Sequence, residues 1–188
     1  AKWLRVYLES IFKMQTIAFL DGGLGQEINK RSGRDVSHPL WSVQVMIEEP
    51  ELVVAVHKDF IRAGSRVITA NNYSATSARL AQHGIEDKFF EIHQLATSLA
   101  HQAVAETFPE PGDQKGVNVA GVLPPLVASY QVPADQNYQD CYDEYCSIIA
   151  AQADHVEVFL VETMSSITEA RAALSALKAA GRESFLGF

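Results

Sequence analysis

Short apolar runs alternate along the chain with longer stretches whose apolar residues recur every three or four positions. The short runs, of five or six residues, predict strands buried on both faces, and the recurring pattern predicts amphipathic helices. Predicted strands cover 16–20, 66–70, 117–122, 156–161 and 184–188. One predicted helix begins at Pro50, and a helix or helix pair fills 75–107. Two more helices follow Asn137 and Ser166. This alternation predicts an α/β fold with a parallel sheet covered by helices.

Local signals mark several helix ends. Pro50 is a favoured first-turn residue, and Gly64 is the residue expected just past the last turn. Asn137 is a good N-cap, and Ser166 forms a capping box with Glu169. These signals define where the predicted helices begin or end.

Residues 26–49 are predicted to form a long connection after the first strand, and long loops also follow the second and third strands. The pattern allows an open doubly wound sheet or part of a (β/α)₈ barrel, and the long loops favour the barrel. A complete barrel takes about 250 residues, and five strands in 188 residues leave no room for three more. The expected fold is therefore a parallel (β/α)₈ TIM-barrel type, truncated after about five strands.

The chain divides into an N-terminal extension, residues 1–13, and a barrel part, residues 14–188. Charged residues interrupt the apolar run that a signal peptide would need. The extension is either a short amphipathic helix or disordered, and Met14 stands where a native start would be natural.

Composition excludes some classes of function. With 47% hydrophobic residues the chain can bury a core, and a net charge of −8 argues against nucleic acid as the main partner. No run of 18 uncharged apolar residues exists, so no membrane span is expected.

Cys141 and Cys146 lie roughly 140° apart around a helix, which suits neither a shared metal nor a disulfide. Two free thiols predict a reducing, cytoplasmic location.

The first candidate site is Asp21 with the glycines that follow it. An acid at the end of a buried strand could hold an ammonium group, and the backbone N–H groups of Gly22 and Gly23 could hold a carboxylate. The alternative is a solvated turn acid beside glycines that serve only the geometry of the turn. A second acid, Glu162, ends the fourth predicted strand in the same way.

Six strings, in order, resemble the homocysteine S-methyltransferase family, which includes the betaine–homocysteine methyltransferases. The strings are Leu20-Asp-Gly-Gly-Leu-Gly25, Pro39-Leu-Trp-Ser42, Pro50-Glu-Leu-Val-x-x-Val-His57, Ala63-Gly-x-x-Val-Ile-Thr69, Gly121-x-Leu-Pro-Pro-Leu126 and Glu162-Thr-Met164. They span about residues 16–188. The resemblance implies a (β/α)₈ barrel that moves a methyl group from a sulfonium or ammonium donor to the zinc-activated thiol of homocysteine, giving methionine. The donor would be a compound such as S-methylmethionine, S-adenosylmethionine or betaine.

Carried over by position, the resemblance implies that Asp21 and Glu162 hold the amino group of homocysteine. It also implies that Gly22 and Gly23 meet its carboxylate, and that Asn72 belongs to the substrate site. The family's metal-binding cysteines come from later strands and have no counterpart here, so zinc is implied by the family while its ligands are missing from this chain.

The sequence supports three hypotheses about the function. The first is the amino-acid-binding part of a homocysteine S-methyltransferase. The second is a non-catalytic half-barrel that binds or assembles, with self-association through its open sheet edges. The third is an unrelated α/β enzyme that uses Asp21 and Glu162 as acid and base. Among the histidines, His57 is expected to have a surface or helix-packing role and no chemical one, and His38 borders Trp41 in the loop over the site.

Overall fold

The computed structural model describes residues 18–34, 40–110, 116–127, 129–132 and 135–187. The predicted extension at 1–13 and His38 lie outside these ranges. The helices are α1 (Leu24–Ser32), α2 (Ser42–Glu48), α3 (Pro50–Ala63), α4 (Ser77–Ala81), α5 (Phe89–Thr107), α6 (Tyr138–Gln152) and α7 (Ile167–Ala179). The strands are β1 (Val67–Thr69), β2 (Asn118–Leu123), β3 (Val158–Val161) and β4 (Ser184–Leu186). Short 3₁₀ turns, Glu86–Lys88 and Ala153–His155, precede α5 and follow α6.

The four strands form one parallel sheet in the order β1-β2-β3-β4. Parallel crossovers are right-handed almost without exception, so a sheet whose strand order follows the sequence places all its helices on the same face. A doubly wound sheet instead reverses its strand order at a switch point. The predicted parallel α/β fold is confirmed, and its strand order is that of a barrel-type sheet.

The first predicted strand is shorter in the structure than the sequence indicates. Within the described residues it consists of an isolated parallel bridge between Leu20 and Val67. Asp21 N donates to the Val67 carbonyl at 2.9 Å, and Arg66 N donates to the Phe19 carbonyl at 2.8 Å. Among the described residues the sheet therefore has four strands and one bridged segment, where five strands were predicted.

The two faces of the sheet carry different clusters, because successive strand residues point to opposite sides. Ile68, Val119 and Phe159 belong to the main core, which the helices cover. Val67, Ala120 and Val158 form a separate, smaller cluster on the other face. The main core lies between the sheet and the helical layer, and it holds the fully buried side chains of Tyr145 and Phe159.

The predicted helix starts and ends are confirmed, but the capping box is only half made, because the Glu169 carboxylate accepts from Leu126 N instead of from Ser166 N. Pro50 begins α3, and Gly64 follows it with φ of 113°. The side chain of Asn137 accepts from Gln139 N and Asp140 N at the start of α6. Ser166 accepts from Glu169 N at the start of α7. None of the helices in the described ranges is long and apolar enough to cross a membrane.

The prediction of a long connection over 26–49 is wrong, because this stretch contains most of α1 and all of α2. Leu24 and Ile28, one helical turn apart, are the buried face of α1, and Gly33 closes the helix with φ of 66°. The pattern was missed because α1 is polar outside this narrow stripe and follows the glycines directly. In α2 the buried face is formed by Val43, Val45 and Met46.

Candidate functional site

A cavity of about 280 Å³ opens at the carboxyl ends of the strands. Five connecting segments line it. They are the start of α1, the turn before α2, and the segments that follow β1, β2 and β3. Catalytic and binding residues of barrel folds concentrate on this face.

Asp21 is held at the edge of this cavity by Thr69. Thr69 N donates to Asp21 Oδ2 at 2.8 Å, and the Thr69 hydroxyl donates to the same oxygen at 3.0 Å. Burial raises the pKa of Asp21 to about 6, and the two hydrogen bonds from Thr69 act in the opposite direction. Thr69 and Gly22, on either side of the carboxylate, both line the cavity. Asp21 is therefore half-buried and pre-oriented, and not a freely solvated turn residue.

Glu162 lines the cavity directly, at the end of β3. Burial raises the pKa of Glu162 to about 7, and the negative charge of Asp21 adds to the rise. The fold thus brings the two predicted acids into electrostatic contact, although they are far apart in sequence. Two like charges that repel in a half-buried site create a place where a cation is favoured.

The glycines bring the backbone of α1 to the cavity. Gly22, Gly23 and Gly25 all line it, and none of the three has a positive φ. Left-handed geometry is therefore not the reason for glycine here, and at Gly25 the reason is close packing. At Gly25 an added Cβ would lie 2.8 Å from Trp41 Cζ3 and 2.9 Å from Ser42 Oγ.

The N-terminus of α1 has no side-chain cap. Leu24 N donates to the Gly22 carbonyl, and Glu27 N donates to the Gly23 carbonyl. The intervening N–H groups, of Gly25 and Gln26, belong to the first helical turn, where backbone donors have no partner within the helix. Gly25 and Gln26 line the cavity, so this end of the cavity suits a carboxylate.

Asn72 is not brought to the cavity. Its side chain is fully buried, and its Nδ2 contacts His93 Nδ1 at 2.8 Å and the Val122 carbonyl at 3.4 Å. His93 Nε2 lies 3.0 Å from the Ala75 carbonyl, which can only accept. Nε2 therefore carries the proton, and Nδ1 accepts from Asn72. The other side-chain atom, Asn72 Oδ1, is buried and has no hydrogen-bond partner among the described residues. The contact of Asn72 with substrate therefore stays a prediction.

Three aromatic residues that were not among the predicted site residues also line the cavity. We call these three residues, Trp41, Tyr73 and Tyr130, the aromatic wall. Trp41 and Tyr130 have φ of 48° and 60°, and Thr163, also a lining residue, has φ of 59°. Non-glycine residues with positive φ are uncommon and concentrate at functional sites. The only sequence signal was an aromatic side chain in a loop, which by itself is common.

The turn that carries Trp41 is tied to the loop after β1. Asn71 Nδ2 donates to the Ser42 carbonyl at 3.0 Å, and the Ser42 hydroxyl donates to Asn71 Oδ1 at 2.6 Å. Both side chains are buried. This reciprocal pair fixes Trp41 against Gly25.

A metal site is not evident in the part of the chain that the structure describes. No group of three His, Cys, Asp or Glu residues there could hold a metal ion. Cys141 is buried and Cys146 is half-buried, both as free thiols on α6, as predicted. His57 is fully buried in α3, which confirms its predicted packing role.

Comparison with known proteins gives one consistent result. A sequence model of the family described as Homocysteine S-methyltransferase matches residues 18–186. The Homocysteine S-methyltransferase of Escherichia coli (strain K12) is 31% identical over 149 residues, which are 79% of this chain and 46% of that protein. Homocysteine S-methyltransferase YbgG of Bacillus subtilis (strain 168) is 26% identical over 185 residues, 91% of this chain and 58% of that protein.

A solved structure agrees with the sequence matches. The metallated form of the homocysteine methyltransferase MmuM from Escherichia coli superposes with a TM-score of 0.84 at 26% identity. The match covers 96% of this chain and 66% of that one. The chain spans about half the length of the curated relatives it matches.

Proposed function

Since the chain belongs to the homocysteine S-methyltransferase family, we propose that its cavity is the amino-acid-binding part of a site for methyl transfer to homocysteine. The methyl group would move from a sulfonium or ammonium donor to the thiol, giving methionine. The observation that carries this proposal is the pairing of Asp21 and Glu162 beside the uncapped N-terminus of α1. A zwitterion fits this arrangement at both ends.

The ammonium group of homocysteine would lie between the two acids. Its positive charge would relieve their mutual repulsion and lower both raised pKa values, so both carboxylates would be ionised in the complex. The carboxylate of the amino acid would accept from backbone N–H groups at Gly22, Gly23 and the first turn of α1.

The aromatic wall supports a cationic methyl donor. A sulfonium or quaternary ammonium centre is attracted to the faces of Trp and Tyr rings. None of the described residues that line the cavity is basic, so no cationic side chain among them would repel such a donor. This charge pattern is compatible with S-methylmethionine, S-adenosylmethionine or betaine, and it disfavours a donor whose methyl group is not carried by a cationic centre.

Zinc does not fit the described residues of this chain. The resemblance implies that zinc activates the homocysteine thiol, but Cys141 and Cys146 lie on a helix at a spacing that does not suit a shared metal. We therefore assign no step to a metal. The proposal is that residues 14–188 form the N-terminal part of a barrel of this family. The relatives extend beyond the part that matches this chain, and a segment corresponding to that extension would hold any metal ligands.

The two free cysteines also support a proposed cytoplasmic location, because thiols persist in reducing compartments.

Calorimetry on the chain tests the amino-acid site. We expect L-homocysteine to bind with an affinity that falls about tenfold or more in Asp21→Asn and in Glu162→Gln, since each loses a charge-assisted contact. Glu91→Gln, on the exposed side of α5, is the matched control and should bind as the parent chain does. Equal affinity in all four proteins would exclude the assignment.

A second candidate, a half-barrel module that binds or assembles, is favoured by one observation. Apolar side chains are exposed at both outer segments of the sheet, with Phe19 66% and Phe185 55% exposed. Unpaired strand edges of this kind template pairing with another chain. Light scattering after size exclusion would detect a discrete, folded dimer if this candidate is correct, and a monomer that binds homocysteine would count against it.

A further inference from the structure

The segment that follows β2, residues 124–127, is an irregular stretch whose backbone is held by side chains. Buried carbonyl groups need hydrogen-bond partners, and here no strand or helix provides them. Three side chains, from α6 and from the start of α4, do so instead. Tyr145 Oη donates to the Pro124 carbonyl at 2.9 Å, and Thr76 Oγ1 donates to the Leu126 carbonyl at 3.0 Å. Arg79 donates twice, from Nη2 to the Pro125 carbonyl at 3.4 Å and from Nε to the Val127 carbonyl at 3.2 Å. In the opposite direction, Leu126 N donates to Glu169 Oε1 at 3.1 Å.

Arg79 also binds the loop that follows β1. Its Nη1 donates to the Tyr73 carbonyl at 3.1 Å, and its guanidinium carbon lies 5.7 Å from the centre of the Tyr73 ring. The Tyr73 hydroxyl in turn contacts Ser129 Oγ at 2.7 Å, just beyond the 124–127 segment. One side chain therefore connects the two loops that carry Tyr73 and Tyr130.

Burial of the Arg79 guanidinium would by itself lower the stability of the fold. The residue is only 9% exposed, and burial lowers the pKa of its guanidinium. Glu169, which is 1% exposed, offsets part of this cost through the attraction of opposite charges. A planar guanidinium can serve three carbonyl groups in fixed directions, whereas a lysine ammonium is a single point charge. The geometry thus requires arginine specifically.

We propose that Arg79 is a positioning residue for the donor side of the cavity, because its guanidinium fixes the two loops that carry Tyr73 and Tyr130 of the aromatic wall. This inference rests on the proposed function, in which the aromatic wall meets a cationic methyl donor. Arg79 does not line the cavity, so its effect on a bound cation would be exerted through these loops.

A purely structural role is the competing explanation, and it predicts a different pattern. Loss of a structural arginine would lower the stability of the whole fold without a selective effect on cation binding. Arg182 provides a matched comparison, because its Nη2 donates to the Val156 carbonyl and its guanidinium carbon lies 5.8 Å from the Phe159 ring. These contacts lie at the opposite end of β3 from the cavity.

The test uses Trp41 as a reporter. The chain has two tryptophans, so Trp3→Phe leaves Trp41 as the single tryptophan, in the aromatic wall. Titration with tetramethylammonium chloride, against sodium chloride at equal ionic strength, gives the dissociation constant from Trp41 fluorescence. In ¹³C-tyrosine-labelled protein the ring signal of Tyr73, assigned with Tyr73→Phe, gives a second readout that needs no ligand.

We expect Arg79→Lys to raise the dissociation constant for tetramethylammonium about fivefold or more, and to shift the Tyr73 signal. Arg182→Lys should do neither, even where both variants lower the melting temperature equally. Arg79→Gln carries the same expectation and avoids a buried ammonium, so it serves if Arg79→Lys does not fold.

Two results would overturn the proposal. One is an Arg79 variant that folds, binds the probe as the parent does and keeps its Tyr73 signal. The other is an equal loss of binding in Arg182→Lys. If the parent chain does not bind tetramethylammonium at all, the proposed donor site fails and the Tyr73 signal alone decides the role of Arg79. A shift confined to the Arg79 variants then upholds it, and an unmoved signal rejects it.

Discussion

Thr69 holds the carboxylate of Asp21 with both its backbone N–H, at 2.8 Å, and its hydroxyl, at 3.0 Å. The two residues come from neighbouring segments of the sheet, so the acid is oriented by the strand beside it. Burial raises the pKa of Asp21 and these two hydrogen bonds lower it, with a net value of about 6. At neutral pH this acid is mostly ionised and ready for an ammonium group.

Removing the hydroxyl of Thr69 should weaken that readiness. In Thr69→Val the backbone donor remains and one hydrogen bond to the charged form is lost, so we expect the pKa of Asp21 to rise by about one further unit. The ionised fraction of Asp21 at pH 7 would then fall by about half, so the affinity for homocysteine should fall about twofold at pH 7 and more at lower pH, with the acid limb of its pH profile moved to higher pH. Thr97→Val, whose hydroxyl bonds only carbonyls of its own helix, is the control. An unchanged pH profile in Thr69→Val would contradict this role.

The two acids should make the free protein less stable as pH rises. Their pKa values in the folded chain, about 6 for Asp21 and about 7 for Glu162, lie above the ordinary values of 3.8 and 4.5. The stabilisation from proton binding is therefore complete below about pH 4 and lost as pH rises through about 6 to 7. Glu162→Gln stays neutral, so we expect it to exceed the parent by about 1–3 kcal/mol in free energy of unfolding at pH 8.

Urea unfolding at pH 4, 6 and 8 checks this expectation, with Glu91→Gln as the exposed control. The difference between Glu162→Gln and the parent should grow with pH. A difference that is constant over this range would mean that Glu162 is not perturbed by burial and by Asp21.

His57 should act in the opposite direction. Its side chain is fully buried, both ring nitrogens lack a hydrogen-bond partner among the described residues, and burial lowers its pKa from 6.5 to about 4. A depressed pKa means that stability is lost as pH falls from about 6.5 to about 4. Replacing this ring with an apolar residue removes both the unpaired nitrogens and the proton uptake.

We therefore expect His57→Leu to equal or exceed the parent in stability at pH 7, and to gain further on it at pH 5. Thermal melts at the two values measure this. If His57→Leu is destabilised relative to the parent more at pH 5 than at pH 7, the histidine is protonated and paired in the fold.

Gly25 should tolerate no side chain. The added Cβ of Gly25→Ala would meet Trp41 and Ser42 at 2.8 and 2.9 Å, so Trp41 must move out of the aromatic wall. We expect a loss of about 1–3 kcal/mol in stability and a changed Trp41 emission in the Trp3→Phe background. Gly187→Ala, whose Cβ would meet only the Val161 carbonyl at 4.0 Å, should leave both unchanged. Native-like Trp41 emission in Gly25→Ala would contradict the packing.

Local chemistry explains which features the sequence alone predicted. Pro50, Gly64, Asn137 and Ser166 each act on their own backbone, so their effect could be recognised without the fold. The parallel strands and the two acids were predicted because strand ends meet on one face. α1 was missed because Leu24 and Ile28 are the only apolar residues of its buried face, which also contains Asn29.

The aromatic wall and the role of Arg79 depend on contacts between segments far apart in sequence. Trp41 and Tyr130 take positive φ values that no local motif specifies. Arg79 reads as an ordinary surface arginine in the sequence, yet it bonds carbonyls 46 and 48 positions away. Such placements follow from the tertiary structure, which a single sequence does not reveal.

The most direct test of the central claim is a cycle between the ligand and the acids. L-Homocysteine and 4-mercaptobutanoate differ only in the amino group, and both are titrated calorimetrically into the parent chain, Asp21→Asn and Glu162→Gln at pH 8 with a reductant. Asp21 and Glu162 are predicted to favour homocysteine over the analogue by tenfold or more, with that preference lost in both variants. A preference that survives in the variants, or is absent from the parent, would contradict the assignment of Asp21 and Glu162 to the amino group.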